Sequence, residues 1–78
     1  MKKKTMEDVY LELFKGYKDI LDVPQLTKML DISKPTAYDL IQSGSIPAFK
    51  IGGKYKIPKR CVIDFLLESM DNYAHKIK

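Results

Sequence analysis

Ser45-Ile46-Pro47-Ala48-Phe49-Lys50-Ile51-Gly52-Gly53-Lys54-Tyr55-Lys56-Ile57-Pro58-Lys59-Arg60 is the stretch on which the fold turns. It holds five basic residues and no acidic one, more positive charge than the +4 net of the whole 78-residue chain. Phe49 to Ile57 reads as two short alternating runs around Gly52-Gly53, the pattern of a β-hairpin. The cations therefore stand on a hairpin, and Pro58-Lys59-Arg60 opens a helix behind it whose Val62, Phe65 and Leu66 can close a core. A three-residue loop, Gly52-Gly53-Lys54, pairs Ile51 with Tyr55, Lys50 with Lys56 and Phe49 with Ile57, and buries the four apolar side chains together. A two-residue loop sets Ile51 with Lys54 on one face and Lys50 with Tyr55 on the other, mixing apolar and charged groups on both. The pattern favours the first register. It places Lys50 across from Lys56, a like-charge pair that a bound polyanion would relieve.

Upstream, Asp22 is a good N-cap: Gln25 completes a capping box, and Leu21 and Leu26 fall where a hydrophobic staple would join them. The helix it starts runs from Val23 to Leu30 with Leu26, Met29 and Leu30 as its apolar stripe. After a turn at Asp31-Ile32, Ser33 caps a third helix over Ser33–Ser43, with Pro35 tolerated in its first turn and Gly44 at its stop. Two short helices joined by so short a turn form a helix-turn-helix, which lays its second helix in a DNA major groove. A plain helical hairpin has the same spacing, and the cationic hairpin that follows separates the two.

At 100° per residue, Ala37, Leu40 and Ile41 of that second helix face the core, which leaves Pro35, Thr36, Tyr38, Asp39 and Gln42 outside or on the flank. Ser33 and Lys34 stand at its N-terminal edge, where backbone N–H groups and an ammonium can meet phosphate oxygens. Thr36 offers a hydroxyl or a methyl, Gln42 suits adenine, and Asp39 could accept from cytosine N4. For Tyr38, packing against the hairpin is the better reading. On the hairpin, Lys50, Lys54 and Lys56 are the phosphate candidates, and Gly53 lets the backbone approach a phosphate closely. Lysines that only solubilise an outward face and protect a sheet edge are the alternative.

A chain of this length makes one domain and buries a little over ~60% of its unfolded surface, which leaves no room for a large catalytic cleft. Cys61 is the only cysteine, so disulfides within the chain and cysteine zinc clusters are excluded and a reducing cytoplasm is expected, with Cys61 itself a small buried hydrophobe. His75 is the only histidine and lies in a polar stretch, Ser43 and Ser45 have no base nearby in sequence, and no phosphate-binding glycine loop occurs. The basic Met1-Lys2-Lys3-Lys4 start is followed by Glu7, Asp8 and Glu12 where an export signal needs an uncharged apolar run, and nothing reads as a membrane span. A first helix starts at Thr5, with Asp8 three residues on, and runs towards Gly16; its Tyr10, Leu11, Phe14 and Tyr17 cover more of the circumference than one buried face needs. Leu66, Met70, Tyr73 and Ile77 continue an apolar spacing at the other end. Either segment packs on its own domain or offers a small self-association surface.

From about Leu21 to Leu67 the sequence resembles the excisionase-type, MerR-like winged helix family of small DNA-binding domains. The resemblance is carried by Asp22-Val23-Pro24-Gln25-Leu26-Thr27-Lys28-Met29-Leu30, Ile32-Ser33-Lys34-Pro35-Thr36-Ala37-Tyr38, Leu40-Ile41 and Ser43 through Pro58. It implies a recognition helix in the major groove, a wing at an adjacent minor groove or its phosphates, and a role in mobile-element recombination or transcription. The family commonly has a basic residue where this chain has Asp39, which removes the phosphate contact expected there.

The fold expected is thus mostly α with a small β-hairpin, a winged helix-turn-helix, with an N-terminal extension over 1–20, the DNA-binding domain over 21–68 and a C-terminal extension or tail over 69–78. The function expected is site-specific binding of double-stranded DNA without catalysis, cofactor or metal, as an excisionase or recombination directionality factor with an integrase or recombinase as partner and weak self-association on DNA. A small phage, plasmid or transposon repressor is the alternative. A protein-interaction module whose basic hairpin meets an acidic partner is the alternative of another class.

Overall fold

The computed structural model describes residues 4–76, with side chains described through Asp71. Residues 1–3, the Tyr73 and His75 side chains and Ile77 lie outside the described residues. The order of elements is α1 (Met6–Leu13), β1 (Ile20–Leu21), α2 (Val23–Leu30), α3 (Lys34–Gln42), β2 (Phe49–Ile51), β3 (Lys54–Pro58) and α4 (Lys59–Lys76). The strands form one antiparallel sheet in the order β1-β3-β2. Among the described residues, four helices and a three-stranded sheet are thus what the helix-turn-helix and hairpin patterns become. No helix among the described residues is long and apolar enough to cross a membrane.

The helix starts follow from capping chemistry. Thr5 accepts from the Asp8 N–H at 3.1 Å while its own N–H donates to Asp8 Oδ2 at 3.3 Å. Asp22 and Gln25 form the same reciprocal box, at 2.9 and 3.2 Å. These bonds satisfy backbone donors that the first turn of a helix leaves unpaired, an effect of about 1 kcal/mol per cap. α2 ends where Asp31 takes a left-handed conformation at φ 54°. The Ile32 N–H then returns to the Thr27 carbonyl at 3.0 Å, so only residues 31–33 separate α2 from α3. α3 stops at Gly44, φ 82°, with the Ile46 N–H bonded to the Leu40 carbonyl.

The core lies between the helix pair, α4 and the inner face of the sheet. Leu21, Leu26, Ile46, Ile57, Val62 and Ile63 are its largest fully buried side chains, and Ala37 and Ile41 bring α3 onto it. Leu21 and Leu26 are both fully enclosed, as a staple requires. Phe65 and Leu66 are half-buried at its margin, and Val62 and Ile63 fill the centre of the α4 contribution. Cys61 is a free thiol, half-buried rather than enclosed as expected, because Val62 and Ile63 take the inward positions of that turn.

β1 is an element the sequence reading lacks. Ile20 pairs with Pro58 and Leu21 with Ile57, and the Lys59 N–H donates to the Asp19 carbonyl at 2.7 Å. This pairing covers one edge of β3 and ties the N-terminal segment to the wing. α1 docks on α4 through Phe14, which is buried and lies beside the rings of Tyr10 and Tyr17 at 6.1 and 6.0 Å between centroids. An eight-residue helix has little stability alone, so these contacts hold it.

The hairpin register differs from the one expected. Phe49 stands opposite Lys56, Lys50 opposite Tyr55 and Ile51 opposite Lys54, around a two-residue loop. Gly52 and Gly53 have φ of 60° and 79°. Positive φ at both central positions defines the tight turn that matches strand twist, and two adjacent glycines adopt it without strain. Lys50 and Lys56 are therefore not a facing like-charge pair. Of the four apolar side chains expected to bury together, Ile57 is enclosed and Tyr55 half-buried, while Phe49 and Ile51 remain 44% and 61% exposed.

Candidate nucleic-acid interface

α3 presents three side chains at a spacing of four, Lys34, Tyr38 and Gln42, along the flank that faces the wing. They line a groove of about 530 Å³ together with Asp22, Val23 and Pro24 at the start of α2 and Lys50, Gly53, Lys54 and Tyr55 of the wing. The helix flank, the α2 cap and the hairpin are thus walls of one depression. Among the described residues three ammonium groups, from Lys34, Lys50 and Lys54, border it, against a single carboxylate, Asp22.

Aromatic contacts set the angle between helix and wing. The rings of Tyr38 and Tyr55 lie 6.0 Å apart at a tilt of 57°, so Tyr38 does pack against the hairpin. Lys50 Nζ sits 4.9 Å from the centre of the Tyr55 ring, within range of cation–π attraction. Both contacts depend on the two-residue register, which puts Lys50 and Tyr55 on one face of the hairpin. Tyr55 is a groove residue that the sequence reading assigned to the core, since its side follows from the register.

The remaining candidates divide between local and open positions. Ser33 caps α3, accepting from the Thr36 N–H at 3.4 Å, and its hydroxyl lies 3.0 Å from that of Thr36. The Thr36 hydroxyl is thereby engaged at the cap, and its methyl is the part left to offer outward. Pro35, in the first turn, and Asp39 are exposed, on the arc of α3 opposite Ala37 and Ile41. Lys56 is half-buried, lies opposite Phe49 and does not line the groove.

The five cations of the 45–60 window are not equivalent. Lys59 Nζ donates to the carbonyls of Phe14 and Tyr17 at 3.3 and 2.9 Å, capping the end of α1. Arg60 is bonded to Glu7 and lies 3.2 Å from Asp64. Glu7 first and Asp64 second hold the Arg60 guanidinium still more firmly in its charged form. Two of the five charges therefore anchor α1, and the wing keeps Lys50, Lys54 and Lys56. Among the described residues no group of three histidine, cysteine, aspartate or glutamate side chains could hold a metal ion.

A short helix pair followed by a hairpin, with the second helix and the hairpin bordering one cationic groove, defines a helix-turn-helix protein. The chain belongs to the helix-turn-helix domain family, whose pattern it matches over residues 20–70. It is also 30% identical over 47 residues to two proteins of Mycobacterium tuberculosis, one from strain H37Rv and one from strain CDC 1551 / Oshkosh, each named as a candidate DNA-binding protein. The aligned segment spans 60% of this chain and 60% of the length of each relative. No solved structure matches the chain.

Proposed function

We propose that the protein binds double-stranded DNA at specific sites, without catalysis, with α3 in the major groove and the wing along the adjacent backbone. The observation that carries this reading is the convergence of Lys34 from α3 with Lys50 and Lys54 from the two strands of the wing on one groove beside the exposed face of α3. Lysines spread for solubility alone have no reason to converge. Membership of a helix-turn-helix family and the names of the mycobacterial relatives support the same reading. Lys34, Lys50, Lys54 and the approach at Gly53 serve the phosphates, with Ser33 presenting the N-terminus of α3; Pro35, the Thr36 methyl, Asp39 and Gln42 meet base edges.

Within that reading, the architecture fits an excisionase-type directionality factor acting beside an integrase. Several adjacent repeats in the binding site with marked bending would support this role, and a single palindrome over a promoter would favour a repressor. The direct test is the affinity of a labelled duplex as salt is raised. With ~3 phosphates neutralised by Lys34, Lys50 and Lys54, the log–log slope is expected to be roughly −2.7, approaching about −3.6 if Lys56 reaches a fourth. A flat response would overturn the electrostatic reading, and absence of duplex binding would leave the acidic-partner module.

A further inference from the structure

We propose that the outer face of the sheet is a docking surface for α1 of a second copy of this chain. In an antiparallel sheet, facing residues and residues two apart on a strand share a side. The observed register therefore sets Phe49, Ile51, Lys54, Lys56 and Ile20 on the side opposite the enclosed Leu21 and Ile57. Phe49, Ile51 and Ile20 are all exposed there, an apolar surface carrying the Lys56 ammonium, with Lys54 at its tip shared with the groove, and no acid among the described residues.

α1 offers the complementary surface. Met6, Val9 and Leu13 are exposed and, at 100° per residue, fall within an arc of about 60°. Glu12 borders that arc, while Asp8 is held in the Thr5 cap and Glu7 and Phe14, on another arc, hold the helix to α4. Glu12 is bonded to Lys15 at 3.2 Å, but both side chains are well exposed, so the bond exchanges readily for an intermolecular one. One surface is apolar and cationic, the other apolar and acidic. Bound to α4, α1 cannot fold over its own wing without breaking the Glu7–Arg60 bond and exposing Phe14, so the occupant is a second copy. Because the two surfaces differ, the contact is head-to-tail and does not stop at a dimer unless it closes into a ring.

Sedimentation of the full chain in low salt without nucleic acid tests this. The wild-type weight-average mass is expected to rise with concentration. K56E and E12K each set like charges together at the contact, and each is expected to weaken association at least about tenfold. Mixing the two variants juxtaposes opposite charges at every mixed contact and restores growth. Glu12 is exposed and Lys56, though half-buried, lies on a strand, so helical content is expected to be unchanged, and L13S provides an uncharged variant with the same expected loss. A wild-type chain that stays monomeric up to about 1 mM, at the weak end of specific association, would overturn the proposal. So would a dimer plateau indifferent to the charge reversals.

Discussion

Replacing Lys59 by methionine keeps the aliphatic stem and removes only the ammonium, which separates anchoring from DNA contact. The Lys59 side chain is 13% exposed and donates to two carbonyls at the end of α1. Phe14 O retains the Tyr17 N–H at 3.0 Å, so the acceptor left without the Lys59 donor is Tyr17 O. A hydrogen bond from a charged donor is worth about 1.5 to 3 kcal/mol, and the partly buried position places the loss near ~2 kcal/mol. The Asp19 carboxylate, 3.9 Å away and 100% exposed, adds almost nothing, so Asp19→Asn is expected to be silent. A chain of this size is held by roughly 4 to 12 kcal/mol in total. Lys59→Met should therefore lower the unfolding temperature by about 8 to 16 °C. Thermal unfolding followed by circular dichroism measures the shift, and duplex titration under conditions where the variant is folded should give the wild-type salt slope. An unchanged unfolding temperature with a salt slope about one unit shallower would show that Lys59 is a phosphate contact and refute the anchoring role.

Lys50→Ala removes a cation from the Tyr55 ring as well as from the groove, so stability should fall by about 0.5 to 1 kcal/mol while affinity for every duplex weakens. Denaturant melts and titrations together check that the two changes share a sign. Gly53→Ala meets no neighbouring atom within 4 Å, so its cost is the backbone strain of positive φ alone, about 1 kcal/mol; Gly52→Asn, which suits the same turn, should leave the midpoint unchanged. Gln42→Ala should cost about 1 to 3 kcal/mol on the cognate site and much less on random DNA. If Asp39→Ala tightens binding to all sequences equally, Asp39 acts by repelling phosphates and the cytosine pairing is wrong.

The helix-turn-helix was legible because its boundaries are set by short-range chemistry. Asp22 with Gln25, Ser33 before Lys34, and Gly44 each act within a few residues, and their structures follow the sequence pattern closely. β1 was not legible: two residues carry no periodicity, and Ile20-Leu21 becomes a strand only because Ile57 and Pro58 lie beside it. The hairpin register was misread for a different reason. Maximal burial argued for a three-residue loop, but the sheet has only one covered face, and the paired glycines favour the tighter turn. Tyr55 moved into the groove with that register. The fourfold spacing of Lys34, Tyr38 and Gln42 could be read in advance, whereas the division of the five cations could not, since nothing local distinguishes Lys59 and Arg60 from Lys54 and Lys56.

Pairing of β1 with β3 also bears on the order in which the chain assembles. Joining Leu21 to Ile57 closes a loop that contains α2, α3, β2 and the hairpin turn. Closing a loop of that length costs roughly 3 kcal/mol beyond a constant, whereas the capped helices and the two-residue hairpin form from neighbours in sequence. The local pieces thus precede the closure, and the closure locks them at a fixed separation. The span from helix to wing is consequently reinforced by the completed chain, so a fragment lacking residues before Asp22 would keep the parts of the groove and rely on the Tyr38–Tyr55 contact and the core to space them.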